Sequence, residues 1–329
     1  MVSISVILPV FNEERYIKDA VSSVLNQSLE DFELIIVDDG STDDTPEIIN
    51  SFTDDRIKVI SQKNQGPGAS RNSALDVASG DYVMFLDGDD WYCTDALETA
   101  YEEITSNNTD ISIFQIIKYD GNEYSENSWF NLDNFPADFE DRVFNPHECR
   151  DFLFDISVSA CQKIFRRQFL MDINAKFPEG IFFEDMPFFF YTFLKAERIS
   201  LIKRHLYVRR KHSGSTTESV DGKFLDTVEA GRILMDIFIE NEWYNLYIYD
   251  LIAFKINGPR YALMSIEEKY QVDLYLLIKK DYESIKSSRY YHDYMDNLGP
   301  VKKKFMLDII ESKDYDDFKT LNQTKSEPA

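Results

Sequence analysis

The first 120 residues alternate between two hydrophobic periods, and that alternation restricts the possible folds more than any other feature. "ISVILPV" is an unbroken apolar run, the pattern of a strand covered on both faces. Ile17, Ala20, Val21, Val24 and Leu25 then recur at helical spacing. "FELIIVDD" is a second buried strand, and "STDDTPEIINSF" predicts a helix capped by Ser41 or Thr42. "RIKVIS" predicts a third strand, "GPGASRNSALDVAS" a helix opened by Pro67 and Gly68, and "DYVMFLD" a fourth strand. A helix over "DALETAYEEI" and a strand over "DISIFQIIKY" complete the series. Such alternation implies an α/β fold, a Rossmann-like, mostly parallel sheet with right-handed crossovers and flanking helices. In such sheets ligands bind beyond the carboxyl ends of the strands.

Those strand ends are polar and mostly acidic. The first ends at Pro9, Val10, Phe11, Asn12 and Glu13, the second at Asp38, Asp39 and Gly40, the fourth at Asp87, Gly88 and Asp89, with Asp90 following. An Asp after one strand is an ordinary turn former or helix cap. Several at one sheet edge repel each other and call for something positive or hydrogen-donating. Two carboxylates one residue apart can share Mn2+ or Mg2+, hard cations that take one or two carboxylates plus substrate phosphates. Gly88 lets the backbone approach a ligand, and a metal-bound diphosphate would offset the repulsion. Asp39 suits acceptance of the imide N–H of a uracil.

"VILPVFNEERYIKDAVSSVLNQ", "ELIIVDDGSTDDT", "NQGPGASRN" and "GDYVMFLDGDD" resemble the successive motifs of family-2 glycosyltransferases of the GT-A fold, over about residues 3 to 215. The resemblance implies an inverting, metal-dependent transfer of a hexosyl or N-acetylhexosaminyl unit from a UDP-sugar to an acceptor hydroxyl. By position it implies Pro9, Phe11 and Glu13 along the base and ribose and Asp39 on the uracil. Gly68, Arg71 and Gly88 fall on the nucleotide side, Asp87 on ribose or metal, and Asp89 on the metal. The family more often has Tyr where Phe11 stands, so a ring remains and a hydroxyl is absent.

"FFEDMPFFF" sets Glu184 and Asp185 between an aromatic strand-like run and a helix with Pro187 in its first turn. Taken locally this is an acidic helix start that favours the dipole. The resemblance implies instead that Asp185 is the base and that Glu184 positions the acceptor or tunes Asp185. In "YVRRKHSGSTT" it implies that Arg210 and Ser215 hold the diphosphate and that His212 is a third metal ligand or a phosphate donor. The plainer reading of His212 is a surface-loop histidine. Lys163 also matches a common family position, structural or facing the acceptor.

A net charge of −24 over 329 residues disfavours a nucleic-acid partner, which needs clustered Lys and Arg. Cys93, Cys149 and Cys161 form neither a zinc pattern nor a disulfide framework. "MVSISVILPVF" has no basic leader, and "MPFFFYTFL" is about half the length of a membrane span. These point to a soluble, cytoplasmic protein with at most a peripheral contact at the inner face of the cell membrane. Domains are expected at 1–219 and 220–329, the second mostly helical and serving the acceptor side or homo-oligomerisation. There, "RYYHDYMDNLGPVKKKF" reads as a contact with a membrane-borne lipid-linked acceptor or as a solvated helix start. The acceptor class is a glycan, a polymer or a lipid-linked saccharide.

Other readings fit less well. A sugar nucleotidyltransferase would want a glycine-rich basic loop after the first strand, and "PVFNEERY" has no glycine. A strand-end phosphatase would want Thr or Val where Trp91 stands. A Ca2+ loop at "DDGSTDDTPEII" lacks its closing Glu. A non-catalytic nucleotide-sugar-binding protein would be expected to lose the carboxylates that are present.

Overall fold

The continuous apolar runs become the parallel half of one sheet. In the computed structural model, which describes residues 2–212 and 221–323, these are β1 (Ile4–Val10), β2 (Phe32–Asp38), β3 (Ile57–Ser61) and β4 (Tyr82–Phe85). β1 pairs in parallel with β2 and β4, and β2 with β3. Burial is nearly complete along β1 and β2, and each fully buried Val, Leu or Ile there is worth about 1.5–3 kcal/mol. Three helices connect them: α1 (Ile17–Leu25), α2 (Thr45–Asn50) and α3 (Pro67–Leu75). α1 buries Ile17, Ala20, Val21 and Val24, the expected helical stripe.

The second half of the sheet is mixed. After β4 come β5 (Trp91–Tyr92), α4 (Ala96–Asn107), β6 (Ile111–Tyr119), β7 (Tyr124–Ser125), β8 (Lys163–Arg166), α5 (Arg167–Asp172), α6 (Asp185–Lys195) and β9 (Ile199–Arg210). The strand order is β3-β2-β1-β4-β8-β6-β9-β5, with β7 on β6. β8 runs antiparallel between β4 and β6, while β6 and β9 are parallel over a long register. The sheet is thus mostly parallel with helices on its flanks.

Two local expectations fail. Neither Ser41 nor Thr42 caps α2; Asp44 stands at its N-cap. Instead the Ser41 hydroxyl accepts the Asn12 N–H at 3.0 Å, and Asn12 Oδ1 accepts the Thr42 N–H at 2.8 Å. Asn12, with φ of 58°, turns the chain off β1 in the left-handed region that Asn tolerates. The aromatic run before Glu184 is not a strand but a bend.

At the opposite end of the sheet from these loops, Glu33 is buried and accepts the Ser5 hydroxyl at 2.6 Å and the Ser79 N–H at 2.6 Å. These donors and Lys58 hold its carboxyl down at about 2 against the upward push of burial. Gly80 is required there, since a Cβ would lie 2.5 Å from the Ser5 nitrogen.

The chain divides into two compact units, Met1–Gly180 with Glu184–Thr216, and Ile181–Phe183 with Thr217–Ala329. The second is helical: α7 (Thr227–Glu240), α8 (Tyr244–Ser265), α9 (Glu268–Lys286), α10 (Tyr291–Asn297), α11 (Pro300–Glu311) and α12 (Tyr315–Gln323). Leu234, Phe238, Leu251, Ile256, Leu274, Ile278, Met306 and Ile309 fill its core. In the "KKK" stretch, Lys303 donates to the Met295 carbonyl at 2.6 Å and Lys304 pairs with Asp308. Among the described residues, no helix is long and apolar enough to cross a membrane.

Candidate active site

The three carboxylates after β4 point to three different partners. Asp87 Oδ1 accepts from Arg71 Nη2 at 2.9 Å, and its side chain is 41% exposed. Asp89 Oδ2 lies 2.9 Å from His212 Nε2. Asp90 is buried and accepts the Tyr207 hydroxyl at 2.6 Å and the Arg210 N–H at 2.7 Å. Tyr207 also accepts the Asp87 N–H at 3.2 Å, so one buried tyrosine of β9 holds both ends of the loop. Burial, with Asp89 and Asp87 beside it, drives Asp90 well above the ordinary carboxylate range, and its two donors only partly oppose this. Asp89 is also raised, first by burial and then by Asp87, with His212 pulling it down.

A second cluster forms where α3, β4 and α6 meet. Arg71, 4% exposed, pairs with Glu184 and Asp87, and its Nη1 lies 3.4 Å from Asp185 Oδ1. Burial raises both Glu184 and Asp185, and Arg71 opposes the rise at each. Asp185 Oδ1 is enclosed and has no hydrogen-bond donor. A quarter of the side chain stays open to solvent, and Oδ2 receives only a long contact from the Ala160 N–H, at 3.4 Å. Lys163 lies fully buried nearby, donating to the Ser157 and Ser159 carbonyls at 2.9 and 2.7 Å. Burial pulls its ammonium down to about 7, against Asp185, which pulls it up. It thereby fixes the loop that carries Ala160. Phe183, immediately before Glu184, has φ of 66°. A bulky residue in the left-handed region is a strained position of the kind that gathers at functional sites.

The other residues expected on the nucleotide side lie at the ends of β1, β2 and α3. Phe11 is 44% exposed, a free aromatic face beyond β1, and Pro9 and Glu13 are half-buried beside it. Gly88 makes room for Glu13, whose Cγ would lie 3.0 Å from a Cβ there. Asp39 is buried and accepts from Gln62 Nε2 at 2.8 Å, the Gln65 N–H at 3.0 Å and the Gly66 N–H at 2.8 Å. The Gln65 N–H also reaches Oδ2 at 3.2 Å, so about four acceptor sites already carry four contacts. Gly68 is required by packing, because a Cβ would sit 2.2 Å from the Pro178 carbonyl oxygen.

Arg210, expected on a diphosphate, has several partners within the protein. Its Nε donates to the Asp89 carbonyl at 2.9 Å, its Nη2 to Asp19 at 2.8 Å. The guanidinium is sandwiched between Tyr16 and Trp91, 4.8 and 4.5 Å from their ring centres. Ser215 lies outside the described residues. Among those residues, no three His, Cys, Asp or Glu converge as a metal cage. Asp89 and His212 face each other, an oxygen and a nitrogen donor in a partly buried pair. That set fits a divalent cation completed by substrate oxygens, not an all-protein cage.

The family model for glycosyl transferase family 2 matches residues 5–167. A cholesterol galactosyltransferase of Borreliella burgdorferi is 30% identical over 270 residues, 77% of this chain and 75% of that protein. The chain belongs to glycosyltransferase family 2. The minor teichoic acid biosynthesis protein GgaA of Bacillus subtilis is 30% identical to this glycosyltransferase over 325 residues, 94% of the chain and 68% of its own length. The crystal structure of S. aureus TarS 1–349 in complex with UDP-GlcNAc aligns with it at a TM-score of 0.70 and 21% identity, covering 98% of this chain and 91% of that one. The glycosyltransferase therefore has the GT-A fold. Sequence reasoning missed Tyr207, the buried donor to Asp90. The available signal was a carboxylate too many in the loop, which calls for a buried donor elsewhere.

Proposed function

We propose that the protein transfers a hexosyl or N-acetylhexosaminyl unit from a UDP-sugar to a hydroxyl of a glycan, polymer or lipid-linked saccharide, with inversion. The observation that carries this reading is Asp185: a carboxylate raised by burial, oriented by Arg71 and Ala160, with a quarter of its side chain open to solvent. A base whose pKa lies above the ordinary carboxylate range holds a proton better in the transition state. In a single displacement, Oδ2 takes the proton of the acceptor hydroxyl as that oxygen bonds the anomeric carbon. The bond from that carbon to the diphosphate oxygen breaks, and its electron pair leaves with UDP.

Phe11 stacks on the uracil, and Asp39 takes its imide N–H in place of the long Gln65 contact to Oδ2. Asp87 meets the ribose, while Arg71 is spent on three carboxylates and acts as a positioning residue. Asp89 and His212 would hold Mn2+ or Mg2+, which supplies positive charge to the departing diphosphate. Relatives lend support to donor and acceptor class. TarS has been crystallised with UDP-GlcNAc, and a poly(ribitol-phosphate) beta-glucosyltransferase of Bacillus spizizenii is 32% identical over 205 residues.

The test is UDP release from a panel of UDP-sugars with Mn2+, for the parent and for Asp185→Asn. Turnover should fall about 10²- to 10⁴-fold in the variant while UDP affinity holds. Equal turnover in the two proteins would remove Asp185 from the chemistry. A parent that releases UDP from no UDP-sugar would remove the donor assignment.

A further inference from the structure

On the flank of the first unit, α1 and the β6–β7 hairpin enclose a groove of about 540 Å³. That volume lies within the range of small-ligand sites. Apart from Arg210, none of the residues assigned above to nucleotide, metal or base lines it.

One wall is aromatic. Tyr119 and Tyr124 are cross-strand partners whose ring centres are 4.9 Å apart, and Trp91 meets Tyr119 edge-on at 5.6 Å. The three rings follow one another outward from Arg210, and Tyr124 at the outer end is 59% exposed. The opposite wall is one face of α1. Asp19, Ser22, Ser23 and Asn26 are spaced i, i+3, i+4 and i+7 and so stand in a row. The groove's two opposite charges cancel, because Asp19 is paired with Arg210 at 2.8 Å. The Ser23 hydroxyl is bonded to the Ala20 carbonyl and the Tyr92 N–H, so what remains is the Ser22 hydroxyl and the Asn26 amide facing a run of rings.

That combination matches the chemistry of a neutral sugar. A pyranose presents an apolar C–H face to an aromatic ring and hydroxyls around its rim. An anionic polymer segment would find no net positive charge here, in a chain of charge −24. We propose that the groove is a saccharide-binding subsite, separate from the nucleotide site, that holds a neutral sugar unit of the acceptor chain away from the reacting hydroxyl. This rests on the reading of the acceptor as a glycan. Arg210 joins the two places: it forms the inner end of the groove and donates to the Asp89 carbonyl at 2.9 Å.

The experiment is direct binding of cellohexaose, chitohexaose and maltohexaose by calorimetry and ligand-observed NMR, with and without saturating UDP. Two variants accompany the parent: Tyr124→Ala, which removes an exposed ring, and Ser22→Phe, which fills the groove from the helix side. At least one oligosaccharide should bind the parent and stay bound when UDP is added. Each variant should weaken it about tenfold and leave UDP affinity within about twofold. The proposal is overturned if none of the three binds, if UDP displaces the one that does, or if Tyr124→Ala binds it as tightly as the parent. Since the readout is saccharide binding, the two readings fail separately. Oligosaccharide binding without UDP release from any UDP-sugar would sink the transferase reading alone, and turnover without oligosaccharide binding would sink the groove alone.

Discussion

Replacing Arg71 by Met keeps the bulk of a buried side chain and deletes its charge. In the parent that charge serves Glu184, Asp185 and Asp87, and the side chains of Arg71 and Glu184 are only 5% and 7% exposed. Removing one partner of such a pair costs about 3–5 kcal/mol, because the other charge is left buried and uncompensated. For a unit of this size each kcal/mol lowers the melting temperature about 2–4 °C, so a fall of about 6–20 °C is expected. The loss should also depend on pH. Burial already raises Glu184 and Asp185, and Arg71 is what restrains the rise. Without it both climb further, so the folded variant holds protons that the unfolded chain releases above about pH 4. Lys163 remains beside Asp185 to oppose the climb there, and Asp87 adds to it. Where the folded state binds more protons, stability falls as pH rises. The deficit of Arg71→Met should therefore be larger at about pH 8.5 than at about pH 5.5. Thermal melts of parent and variant at both values decide it. A deficit that is the same at both, or below about 2 °C at both, would show that Arg71 does not restrain these carboxylates.

Two further outcomes are expected. His212→Ala should raise the Mn2+ concentration needed for half-maximal turnover by about tenfold or more, and chelation should silence the parent; undiminished turnover in EDTA would dismiss the Asp89–His212 cation. Tyr207→Phe should cost about 1–3 kcal/mol by leaving buried Asp90 with one of its two donors and should weaken UDP binding through the loosened Asp87–Asp90 loop. Unchanged melting and unchanged UDP affinity would assign that loop another anchor.

What was legible in the sequence followed from burial on two faces. β1 and β2 are covered on both sides, so they read as unbroken apolar runs, and their polar ends, with that of β4, marked the sheet edge where Phe11, Asp39 and Asp87 stand. β8 and β5 were not legible. Four and two residues carry too little periodicity, and β8 takes its place between β4 and β6 only through tertiary pairing. Ser41 and Thr42 looked like caps because their side chains suit that role, but Asn12, 29 and 30 residues away, claims them. Arg210 was expected on a phosphate from its motif. Its partners Asp19, Tyr16 and Trp91 come from other elements, and no local pattern announces them. The bend at Phe183 was hidden by a run of aromatic residues that reads as a strand.

The anchoring of Asp90 has a consequence for how the protein is made. Its donors, Tyr207 and the Arg210 N–H, are 117 and 120 residues downstream. At about 5–20 residues per second, a ribosome leaves Asp90 without them for about 6–23 s. A nascent chain ending at residue 167, where the family match stops, already holds Asp87, Asp89 and Asp90 but neither donor. It also lacks β9, the strand that belongs between β6 and β5. The acidic loop therefore cannot reach its buried, paired state until β9 has been synthesised.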